Sequence, residues 1–67
     1  MCLATVTISR TPSPPVAIDD VTAVSLADGY VQVSTLFGKE HRFTGVSIRH
    51  IDTRKGVTIL FEEDHSL

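Results

Sequence analysis

Tryptophan is absent from this chain, and cysteine and methionine occur once each among its 67 residues. A single cysteine forms no internal disulfide, so no disulfide framework supports the fold. No apolar run is long enough to cross a membrane as a helix. No basic segment followed by an apolar stretch marks a secretory signal. Excess positive charge is missing as well: the formal net charge is −2 and the pI is near 5.8. Nucleic-acid binders carry a basic stripe, so no nucleic acid and no membrane are expected as partners. A free thiol without an export signal points to the reducing cytoplasm. The chain also has no nucleotide-binding glycine loop, no zinc-hydrolase helix and no Gly-x-Ser-x-Gly elbow. A domain of this size leaves little room for a substrate pocket, and the expectation is a protein that is not an enzyme.

What is present is a globular composition, with 42% hydrophobic residues. Residues 1–67 read as one domain, near the size at which a single core is barely sufficient. Association with a second chain is the expected source of further stability.

The apolar residues alternate with a period of two. In Cys2–Ser9, one side carries Cys2, Ala4, Val6 and Ile8 and the other Leu3, Thr5, Thr7 and Ser9, which predicts a strand. Arg10 to Pro15 is a stiff connector, because its prolines fix φ and remove ladder donors. Val16 to Asp20 reads equally as a short strand or a turn. Val21–Ala27 and Tyr30–Leu36 are strands around Asp28-Gly29, a hairpin signal that calls for φ > 0 at both central positions of a type I′ turn. Phe37-Gly38-Lys39 is a turn, Glu40–Phe43 a short polar strand, and Val46–Ile51 another strand. Thr53 to Gly56 turns into a last strand, Val57–Phe61, and Glu62 to Leu67 reads as a solvated tail. The expected fold is all-β, a small barrel of SH3-, Sm- or OB-like type with about six or seven short, mainly antiparallel strands. A barrel is preferred because closure removes unpaired edges.

Cys2 is the chemical feature of the chain. It sits beside the chain end, so a thiol, a backbone amide and an α-amino group lie within a few bonds. If Met1 is removed, amine and thiol belong to one residue and close a five-membered chelate; if it stays, the Cys2 amide nitrogen serves after deprotonation. Thiolate plus nitrogen suits Ni(II), Cu or Zn and suits Mg or Ca poorly. The competing reading is a small buried hydrophobe, the commoner fate of a lone cysteine. Met1 and Leu3, which flank the thiol, are secondary ligand candidates, as are His41 and His50. The histidines form no His-x-His or His-x-x-x-His pair. His50 alternates with Val46 and Ile48 and is expected to be partly buried, while His65 lies in the tail. Glu62, Glu63 and Asp64 read as a solvated end.

Met1-Cys2-Leu3-Ala4 followed by a β-branched strand resembles the start of the CooT family, small nickel-binding accessory proteins of carbon monoxide dehydrogenase maturation. Ile18-Asp19-Asp20-Val21, the hairpin at Asp28-Gly29 and Val33-Ser34-Thr35-Leu36-Phe37-Gly38 continue the resemblance. So do Gly45-Val46-Ser47-Ile48, Ile51-Asp52 and Lys55-Gly56-Val57-Thr58-Ile59, over nearly the whole chain. The resemblance implies a small β-barrel that pairs as a homodimer and binds Ni(II) through Cys2. Its implied partner is carbon monoxide dehydrogenase or another nickel-maturation protein. Two chains bring two thiolates, and square-planar N/S coordination fits Ni(II). Two alternatives belong to other classes. One is a hydrogenase-maturation chaperone whose N-terminal cysteine carries an iron complex, although Thr5-Val6 stand where that family places a proline. The other is a barrel that docks a protein partner without any metal.

Overall fold

The structure, a computed structural model, describes residues 3–64. Six strands follow in chain order: β1 (Ala4–Ser9), β2 (Val16–Ala27), β3 (Tyr30–Thr35), β4 (Glu40–Thr44), β5 (Val46–Asp52) and β6 (Val57–Glu63). They form one sheet in the order β4-β3-β2-β1-β6-β5. All neighbours are antiparallel except β1 and β6, which run parallel from Ala4 opposite Val57 to Ser9 opposite Glu62. The domain is thus all-β, with a mixed and mostly antiparallel sheet.

The alternation in β1 is the one the sequence predicts. Val6 and Ile8 are buried, Ala4 packs against them, and Thr5, Thr7 and Ser9 take the other face. Val31 and Val33 of β3, Phe61 of β6, and Ile18 and Val21 of β2 complete the core. Phe61, Val6 and Val33 are its fully enclosed side chains. Seven residues are a small core, in keeping with a chain this short.

One open reading is settled and three are corrected. The segment left open between strand and turn, Val16 to Asp20, is the first half of a continuous 12-residue strand. It contains an irregularity at Asp20, whose φ is 59°; its carbonyl accepts the Leu36 N–H at 2.8 Å. The Asp28-Gly29 hairpin is present, with Ala27 opposite Tyr30. Only Gly29 has positive φ, at 85°, so the turn is not type I′. Glu62 and Glu63 are not tail: they continue β6, opposite Ser47 and Val46 of β5. His50 is exposed rather than partly buried, because the register of β5 slips between Ile48 and His50 and breaks the alternation that pointed it inward.

Candidate functional site

β1 lies within the sheet, hydrogen-bonded to β2 on one side and β6 on the other. At its first residue, Ala4, it is matched with Val21 and with Val57. A strand paired on both sides has its backbone groups satisfied by the ladder and little freedom to shift. Leu3, half-buried, directly precedes it. The principal candidate, Cys2, and its neighbour Met1 lie outside the described residues, as does His65.

The two histidine candidates are far apart in the strand order, His41 on β4 at one edge and His50 on β5 at the other. His41 is half-buried and stacks on Phe43, with ring centroids 6.4 Å apart and planes inclined by 15°. Among the described residues, no three His, Cys, Asp or Glu side chains gather in a geometry for a metal ion.

Two charged groups have fixed geometry. Asp52 accepts hydrogen bonds from the Arg54 backbone N–H at 2.9 Å and from its guanidinium Nη2 at 2.7 Å, with Nε at 3.2 Å. The guanidinium, then the backbone N–H, hold the Asp52 carboxyl below the usual carboxylate range, with a smaller contribution from the charge of His50. The same pairing raises Arg54 further above its ordinary value. On β4, Arg42 lies 4.5 Å over the Tyr30 ring and donates to Gln32 Oε1 at 3.2 Å. This outer face of β3 and β4 is a polar strip.

The inner face beside β4 is different. A groove of about 560 Å³ runs between the start of β2 and the β3–β4 turn, lined by Val16, Ile18, Phe37, His41 and Phe43 among others. Phe37 is 76% exposed and Val16 51%. Sequence reading missed this patch. The signal available to it was Leu36-Phe37 in a glycine turn, where two large apolar residues have no core to enter.

No family model matches the sequence, and the search of curated proteins finds no match either.

Proposed function

We propose that this chain is a nickel-binding accessory protein of the CooT type. In this reading it is a homodimer that takes Ni(II) as cargo through Cys2 and passes it to carbon monoxide dehydrogenase or another nickel-maturation protein. It acts as a carrier in the cytoplasm and catalyses nothing. The observation that carries the reading is the attachment of Met1-Cys2-Leu3 to the front of a strand bonded on both sides. A ligand tied to a rigid element needs little ordering when the metal arrives. A cysteine thiolate with its main-chain nitrogen makes a chelating donor pair suited to Ni(II).

The same reading takes the sheet as curling into a small barrel. One contact supports this: the Arg10 guanidinium, just after β1, donates to the Thr44 carbonyl at the end of β4. In this reading the edges β4 and β5, joined in sequence through Gly45, approach each other.

The test is calorimetric titration of nickel into the wild type and Cys2→Ser, with circular dichroism to check the fold. The variant is expected to keep the wild-type spectrum and lose tight binding. Equal affinity in the two proteins rejects the reading.

A further inference from the structure

We infer that the outer edge of β4, with the apolar groove on its inner face, docks an extended segment of another protein as an added antiparallel strand. The segment is defined by its chemistry: large apolar, acidic, large apolar, basic, in that order along its chain. The inference goes beyond the nickel reading and rests on neither Cys2 nor a dimer.

The phase of the edge follows from one hydrogen bond. The Thr35 N–H donates to the Lys39 carbonyl at 2.9 Å, so Lys39 faces β3. The ladder pairs His41 with Val33 and Phe43 with Val31, and backbone direction alternates along a strand. The N–H and C=O groups of Glu40 and Arg42 therefore point away from the sheet, and among the described residues no strand bonds to them. Thr44 faces outward too, but its carbonyl accepts from the Arg10 guanidinium, which ends the open stretch. Gly45, where the chain turns toward β5, lies past that end. The docking stretch is thus Glu40 to Phe43.

Side chains of an added strand alternate between the two faces, and each face asks for different chemistry. Val31 and Val33 are buried, so their cross-strand neighbours Phe43 and His41 lie on the inner face, where they line the groove with Val16 and Phe37. Phe37 and Val16 are exposed, so apolar area remains to be covered there. Residues set opposite Phe43 and His41 enter this groove and are apolar. On the outer face, Arg42 donates to Gln32 Oε1 through one Nη and keeps further N–H groups for a carboxylate. Glu40 has no ion-pair partner among the described residues. Opposite charges directly across a ladder attract, and like charges repel. An acid therefore belongs opposite Arg42 and a base opposite Glu40. Antiparallel pairing, slightly the more stable per residue, reads these positions in the order stated and closes about four backbone hydrogen bonds. A second copy of this chain fits less well: matched about its own His41, it brings His41 and Lys39 to the groove instead of apolar side chains. The opposite edge offers no such run, because the slip between Ile48 and His50 interrupts β5 midway.

The test is nuclear magnetic resonance titration of the metal-free full chain with blocked synthetic peptides. The first peptide has the core Val-Glu-Leu-Lys, the second has its two charges exchanged, and the third has serine in place of both apolar residues. The first is expected to bind, with amide shifts confined to β4 and the groove and with slowed solvent exchange at the Glu40 and Arg42 N–H groups. The other two are expected to bind about tenfold more weakly or not at all. Combining Glu40→Arg with Arg42→Glu is expected to reverse the preference between the first two peptides. Reversal separates docking from loss of the Arg42 contacts to Tyr30 and Gln32. Phe37→Ser is expected to keep the wild-type circular dichroism and to bind the first peptide about tenfold more weakly. Absence of binding, equal binding of the first two peptides, a double variant that keeps the wild-type preference, or shifts away from β4 overturns the inference. So does a protein whose Arg42 N–H exchanges slowly without peptide and faster on dilution, because a second copy then occupies the edge. Nickel binding by Cys2 is judged by its own titration.

Discussion

Ile8 and Phe61 lie opposite each other in the parallel ladder between β1 and β6, and both are buried. The pair joins the first strand of the chain to the last, so the centre of the sheet is closed by the contact most distant in sequence. Phe61 is completely enclosed and is the largest such side chain. Replacing a buried phenylalanine with alanine costs about 3–5 kcal/mol, comparable with the whole stability of a domain this small. Phe61→Ala is expected to abolish cooperative thermal unfolding by circular dichroism, and Phe61→Leu to retain it with a lower midpoint. A Phe61→Ala protein that melts like the wild type contradicts the central position given to β6.

Asp20 is the one non-glycine residue with positive φ among those described. Left-handed backbone costs most side chains about 1–2 kcal/mol, and aspartate and asparagine tolerate it best after glycine. Asp20→Val is therefore expected to lower stability by about 1–2 kcal/mol, and Asp20→Gly to be neutral or slightly stabilising. Urea denaturation of the three proteins checks the order. Equal midpoints for the valine and glycine variants would mean that β2 runs straight through this position.

The Asp52–Arg54 contact gives a pH dependence with a definite sign. Its folded carboxyl titrates below the unfolded one. The stabilisation is thus fully present above the ordinary carboxylate range and fades as pH falls through the lower, folded value. The guanidinium is open to water, so the effect is small. The difference in urea midpoint between wild type and Asp52→Asn is expected to hold steady near neutrality and to shrink below about pH 4. A difference that widens on acidification contradicts the assignment.

The sequence carried the local parts of this fold and little of the long-range pairing. Val6 and Ile8, or Val31 and Val33, are two apart and buried together, so their strands are legible from periodicity. Ile18 and Val21 are three apart and both buried, which period-two reading cannot reconcile. The irregularity at Asp20 changes the phase between them, and two aspartates in a row looked like a turn. The same kind of slip beside Arg49 turned His50 outward. The parallel match of β1 with β6 joins segments at opposite ends of the chain and leaves no mark in either strand. Of the candidate site, Cys2 was named from its chemistry alone, and it lies outside the described residues. The apolar groove with Phe37 and Val16 was not read, because it gathers residues from separate segments of the chain.

Nickel binding should be coupled to proton release. A thiol titrates ordinarily near 8.5, and the thiolate is the species that ligates; an amide nitrogen ligand loses a proton too. In the proposed site, affinity is expected to rise by about tenfold per pH unit or more between pH 6 and 8. Titrations in buffers of different ionisation enthalpy count the released protons. His41→Gln and His50→Gln are expected to change affinity less than threefold, since among the described residues neither joins a cluster of metal-binding side chains. A pH-independent affinity excludes a thiolate and amide site. A loss in either histidine variant as large as that in Cys2→Ser moves the metal to imidazole, and with it the slope, which would then flatten above the imidazole range near 6.5.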